Sequence, residues 1–102
     1  MKNVLIRANL AGTFYGTLPS TAPIGANTWV DLHNARRIWS WASGALCCAH
    51  IAAKGLPADP NHRISPQVDV VTLRASDIIE IDSLSPEAAA SLDAIPDWSA
   101  DR

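Results

Sequence analysis

Arg36 and Arg37, followed by Trp39 and Trp41, are the residues of this 102-residue chain whose types and spacing best suit the capture of a ligand. A guanidinium is a planar fork that meets a phosphate or carboxylate through two parallel hydrogen bonds. An indole face stacks on a base or on a guanidinium. The four side chains together would suit a nucleotide, a nucleic acid or an acidic protein surface. The same residues also have a packing reading, because arginine stems and indoles cover a sheet face well and one Trp often fills the core of a small domain. A site that is also a subunit contact would satisfy both readings.

The other chemistry-bearing residues point to no reaction. His33, His50 and His62 invite a metal reading, and Cys47-Cys48 with His50 puts two thiols and an imidazole within one helical turn. Adjacent helix positions point about 100° apart, however, and the separated ligand pairs of a structural zinc site are missing. Cys47 as a nucleophile would need a base and an orienting group, and an apolar helix raises a thiol pKa rather than lowering it. Asp77, Glu80 and Asp82 imitate a carboxylate pair, yet with Asp93, Asp97 and Asp101 they belong to a general acidic trend. Gly12-Thr13-Phe14-Tyr15-Gly16 lacks the Lys-Ser/Thr ending of a phosphate loop. No catalytic residue, metal ligand or cofactor is assigned, and a non-enzymatic role is expected.

The elements that must position the Arg and Trp residues follow from pattern. Residues 3–8 and 13–18 are β-prone around Asn9-Leu10-Ala11-Gly12, which predicts a hairpin. Residues 19–27 mix Pro, Ser, Thr, Gly and Asn and read as a loop, the best candidate for a mobile segment. From Thr28 to Trp41 the chain has period 2, which predicts a strand or a bent strand pair: Val30, Leu32 and Ile38 share one parity, while Trp29, Arg37, Trp39 and Trp41 share the other. His33 to Arg36 is less apolar and predicts a bulge or tight turn. Parity makes Arg37 the ligand contact beside the indoles. Arg36, on the other face or at the bulge, would need a partner such as a C-terminal carboxylate.

Ser43 is placed as N-cap of a mostly buried helix over 44–54 that ends at Gly55. Residues 56–66 read as a loop. Val68 to Leu73 and Ile78 to Ile81 read as strands, and Ser85-Pro86-Glu87 opens a short helix before Pro96. The expected fold is α+β: a small, mostly antiparallel sheet of five to six short strands with two helices, forming a single domain over residues 1–102.

Composition bounds the function classes. With 48% hydrophobic and 18% charged residues the chain is globular rather than disordered, and no apolar run approaches a membrane span. The start, Met1-Lys2-Asn3-Val4-Leu5-Ile6-Arg7, reads as a strand rather than a signal peptide. Adjacent cysteines cannot form an ordinary disulfide, so a reduced, intracellular protein is expected. The net charge of −2 is unevenly spread: residues 1–66 hold six Lys/Arg against two Asp/Glu, and residues 67–102 hold two against eight. Such asymmetry can steer an anionic ligand or a basic partner to one surface.

The run Asn34-Ala35-Arg36-Arg37-Ile38-Trp39-Ser40-Trp41-Ala42-Ser43-Gly44-Ala45 resembles an uncharacterised family of small tailed-bacteriophage proteins. Its signature is Ala-Arg-Arg, an aliphatic residue, Trp, any residue, Trp, then Gly-Ala. The likeness extends through Gly16-Thr17-Leu18, Leu46, Ile51, Gly55, Arg63-Ile64-Ser65, Val68-Asp69, Leu73, Ile78 to Ile81, Ala90-Ser91 and Trp98. The chain departs from the pattern in its longer, proline-bearing loop at 19–27 and in Cys47-Cys48, where polar residues are usual. The resemblance implies a phage or prophage source and the host cytoplasm as the place of action, but no activity. The leading expectation is a homo-oligomeric binding module that sequesters an anionic nucleotide signal in an anti-defence role through Arg36, Arg37, Trp39 and Trp41. Direct nucleic-acid binding is disfavoured. The alternatives are a protein-directed inhibitor of a host defence complex acting through an acidic surface, and a structural accessory protein of the virion.

Overall fold

Lys2–Ala8 (β1) and Gly12–Leu18 (β2) form the expected hairpin, in register from Lys2 opposite Leu18 to Ala8 opposite Gly12. They belong to a computed structural model that describes residues 2–19 and 29–98. The expected loop at 19–27 lies outside the described residues apart from Pro19. The hairpin turn is tied down from elsewhere in the chain: Asn9 N donates to the Asp77 carbonyl at 2.7 Å, and the Leu10 and Ala11 amides donate to the Asp77 carboxylate.

Trp29–Ser40 (β3) runs antiparallel to β2 and contains the expected bulge. Thr17 stands opposite His33 and Tyr15 opposite Arg36, so Asn34 and Ala35 together face Gly16. Asn34 has φ +51°, a left-handed conformation that Asn tolerates better than most side chains. One extra residue exchanges the faces of everything after it. Val30 and Leu32 pack with Val4, Ile6 and Phe14, whereas Ile38 packs with Leu5, Tyr15 and Ile64. The single apolar face expected for Val30, Leu32 and Ile38 is therefore corrected to two.

The far side of β3 is shared by two strands. Val68–Arg74 (β5) pairs along its first half, from Trp29 opposite Arg74 to Ala35 opposite Val68, and Arg63–Ile64 (β4) pairs at its end. Ile78–Ser83 (β6) pairs with β1. All these pairings are antiparallel, so the fold is α+β, with a six-stranded sheet and two helices among the described residues. Strands β5 and β6 stand at opposite edges yet are joined by the 3-10 turn Ala75–Asp77. In a flat sheet these edges, four strand spacings apart, would be about 19 Å from one another. Three extended residues reach only about 10 Å. The sheet must curl, and its concave side holds the Val4, Ile6, Leu32 and Leu73 cluster.

The convex side is covered by the helices Cys48–Lys54 (α1) and Pro86–Asp93 (α2), which bury Ile51, Ala52, Ala88 and Leu92 against Leu5, Ile38 and Ile64. The α2 start is as expected, with Ser85 Oγ accepting from Ala88 N and Pro86 in the first turn. Gly55, at φ +75°, ends α1, and its amide donates to the Ile51 carbonyl. The start of α1 is corrected from 44 to Cys48. Gly44 is at φ +94°, outside helical space, and Ser43 Oγ donates to Asp59 instead of capping.

Candidate functional site

The bulge leaves Arg36 and Arg37 pointing to opposite sides of the curled sheet. Arg36 enters the convex core, where it is 5% exposed. Its five N–H donors all find oxygens: Nε reaches Ser65 O, one terminal nitrogen reaches Tyr15 Oη and Leu92 O, and the other reaches Ile95 O and Asp97 Oδ1 at 2.8–3.1 Å. Three of these acceptors are backbone carbonyls just after β4 or at the end of α2, so the guanidinium ties that helix and strand to the sheet. No donor remains for a ligand. The carboxylate partner, Asp97, is C-terminal, as the need to pair a buried charge had indicated.

Tyr15 completes this clamp. Its hydroxyl accepts from Arg36 and donates to Asp93 Oδ1 at 3.1 Å. Burial is the main reason that its pKa is pushed up from 10.0 to about 12, against the opposing pull of the Arg36 guanidinium.

Arg37 has the opposite surroundings. Its guanidinium carbon lies 3.7 Å from the centre of the Trp39 ring and 5.8 Å from that of Phe14, and the group packs directly over Gly12. A Cβ at Gly12 would come within 2.9 Å of an Arg37 terminal nitrogen, so a side chain there would push the arginine aside. Trp39 is 54% exposed. Arg37 Nε is buried without any hydrogen-bond partner, and no carboxylate lies within ion-pair distance among the described residues. A stacked, desolvated cation with free donors beside an open indole face can take an anion attached to a planar ring.

Trp41 does not join this pair. The β3 to β4 register shifts between Ile38 and Ser40, and Trp41 turns toward the convex core, where its Nε1 donates to Ala45 O at 2.8 Å. Of the four residues expected to converge, the structure brings Arg37 and Trp39 together, and it places Arg36 and Trp41 in packing roles.

Two further cation–indole pairs escaped the sequence reading. Arg63 lies 5.4 Å from the Trp98 ring centre, and Arg74 lies 5.3 Å from that of Trp29. The partners are 35 or more positions apart, beyond any local periodicity, and β4 is too short to show alternation.

The remaining candidates are accounted for by packing. His62 is buried, its Nδ1 accepting from Ala42 N and its Nε2 2.9 Å from Pro57 O, so the ring bridges two loops. Cys47 and Cys48 are free thiols, and burial pushes the Cys48 thiol up, away from nucleophilic reactivity. Glu80, facing Arg7 at 3.7 Å, is also raised, chiefly by a hydrogen bond with Asp82. No group of three metal-ligating side chains gathers among the described residues. A cleft of about 500 Å³ between the loop after α1 and the end of α2 is walled by Leu56, Ala58, Pro60, Ile95 and Pro96 and holds no cation.

Residues 1–92 match the family model described as Domain of unknown function (DUF6948). The chain belongs to this family. The DUF6948 match takes in the whole sheet and nearly all of α2, with Arg36, Arg37, Trp39 and Arg63, and stops before Asp97 and Trp98. No curated protein and no solved structure matches the chain. Among the described residues no helix is long and apolar enough to cross a membrane.

Proposed function

We propose that the chain is a non-enzymatic binding module that captures an anionic nucleotide on the Arg37–Trp39 stack. The observation that carries this reading is the Arg37 guanidinium, held 3.7 Å over a half-exposed indole with its Nε buried and unpartnered. Leaving a buried donor unmade costs about 1–3 kcal/mol. Nε itself is closed to solvent, so a phosphate would bond the terminal guanidinium nitrogens, which make no hydrogen bond among the described residues, and a base would lie on the half-exposed indole. The Arg-Arg-x-Trp-x-Trp signature and its phage resemblance extend the proposal to a phage or prophage protein that sequesters a nucleotide signal in the host cytoplasm, in an anti-defence role.

Titration of the intrinsic tryptophan fluorescence with AMP tests the site. Saturable quenching that is lost in Arg37→Ala, with the melting temperature held within a few degrees, is the expected result. Binding that survives Arg37→Ala, or no binding by the wild type, removes the proposal.

A further inference from the structure

The Arg37–Trp39 pair has a neighbour on the same side of the sheet. Ile38 and Ile64 are paired across β3 and β4, and both are buried in the convex core. Side chains alternate along a strand, so Arg37 and Arg63, each one step before its isoleucine, emerge on the opposite side. Arg63 stands opposite Ser40, past the register shift after Ile38, and two residues along β4 from Ser65, whose amide donates to the Arg37 carbonyl at 2.9 Å. Trp98 lies along the outer edge of β4, its amide donating to the Ile64 carbonyl at 2.8 Å, and its ring sits beneath Arg63. Two arginine–indole pairs thus lie on the paired strands β3 and β4, Arg37 stacked on Trp39 and Arg63 within 5.4 Å of the Trp98 ring centre.

Among the described residues no acid neutralises them. Arg7 and Arg36 are the arginines with a carboxylate in ion-pair range among the described residues, and neither is the partner of a Trp. Arg37 and Arg63 have a Trp and no acid. One anion and one ring would occupy half of this arrangement.

We infer that Arg63 and Trp98 form the second half of the site, so that its ligand is a phosphate-linked pair of bases, one ring on each indole and the phosphates between the two guanidiniums. This rests on the Arg37–Trp39 reading above and specifies its ligand class. A free dinucleotide and a longer single strand share that chemistry. Two indoles favour the dinucleotide, because a strand-binding groove would continue the stacking platform beyond them.

Fluorescence titrations with AMP, with the linear dinucleotide pApA and with an eight-nucleotide oligoadenylate separate the possibilities. The wild type is expected to bind pApA about tenfold or more tightly than AMP, the weight of one base stacked on one aromatic face. Arg63→Ala, at an exposed side chain, should bring pApA down to the affinity of AMP. Trp98→Ala should do the same. Equal affinity of the wild type for AMP and pApA, or a pApA advantage that survives Arg63→Ala, overturns the second half of the site while the Arg37–Trp39 reading stands. Absence of AMP binding by the wild type overturns both. An octamer that binds at least about tenfold tighter than pApA overturns the two-base limit.

Discussion

Arg36 and Arg37 are neighbours in sequence, equal in charge and side by side on one strand, and the fold treats them in opposite ways. On the convex side Arg36 is saturated: every donor has an oxygen, and the group joins β3, β4 and the end of α2. On the other side Arg37 has an aromatic ring beneath it and a buried nitrogen with nothing to bond. A saturated buried charge serves stability and is unavailable to a ligand. An unsaturated buried nitrogen is a cost to the free protein, and the terminal nitrogens beside it, unbonded among the described residues, are the donors an anion can reach. The two sides are also linked, because Arg36 bonds to Ser65 O, Ile95 O and Asp97 and so holds the β4 and C-terminal segments that carry Arg63 and Trp98.

The contrast is sharpest under truncation. Arg36→Ala leaves the Ser65, Leu92 and Ile95 carbonyls without their donor and should lower stability by about 2–4 kcal/mol. A shift of the urea midpoint with unchanged slope would record it. Asp97 contributes little of that total, since its side chain is 60% exposed and exposed ion pairs are worth at most about 1 kcal/mol. A loss below about 1 kcal/mol for Arg36→Ala would remove the distinction between the two arginines.

The opposition of the two faces depends on the bulge. Asn34→Val places a β-branched residue at φ +51° and should cost about 1–2 kcal/mol, whereas Asn34→Gly should be nearly neutral. If both variants melt together, left-handed backbone is not what sets the faces of β3.

Much of this arrangement was legible before the structure. The hairpin, the Ser85 cap and the Gly55 stop are local signals, and period 2 shows extended chain through Trp29–Ser40 with an interruption near Asn34, though not whether it is one bulged strand or a bent pair. The separation of Arg36 from Arg37 was legible too, and with it the need of Arg36 for an acidic partner. Two things were not. Parity counts residues, and a single extra residue at Asn34, then a second irregularity before Ser40, moved Ile38 and Trp41 to faces that counting could not foresee. Arg63 and Trp98 meet only because a two-residue strand and the segment after α2 lie beside the end of β3. Contacts of that kind depend on tertiary closure, and no window of sequence contains them.

Alkali provides a milder probe of the clamp than truncation. Tyr15 has its pKa raised from 10.0 to about 12 in the folded protein, so on raising the pH the unfolded chain loses this proton first. The stability linked to Tyr15 is therefore fully present below pH 10 and declines between pH 10 and about 12. At about pH 11 the loss should be about 1 kcal/mol relative to neutral pH, and Tyr15→Phe should abolish that part of the pH dependence. Phenolate absorbance showing Tyr15 ionising at its ordinary pKa in the folded protein would contradict its burial in the convex core.

The smallest effect on stability should come from Arg37. Arg37→Ala gives up a cation–π contact worth about 0.5–1 kcal/mol and some packing of the side-chain stem on Phe14. It also removes a buried N–H that has no acceptor, a group whose burial disfavours the fold by a comparable or larger amount. The two effects oppose one another, and the net change should lie within about 0.5 kcal/mol of zero, with either sign. Urea denaturation of Arg37→Ala beside Arg36→Ala measures the difference directly. A loss above about 2 kcal/mol for Arg37→Ala would mean that the stack on Trp39 is packing that the fold depends on. The unpartnered Nε would then be a tolerated defect instead of the mark of a binding position, and the contrast between the two faces of β3 would lose its functional meaning.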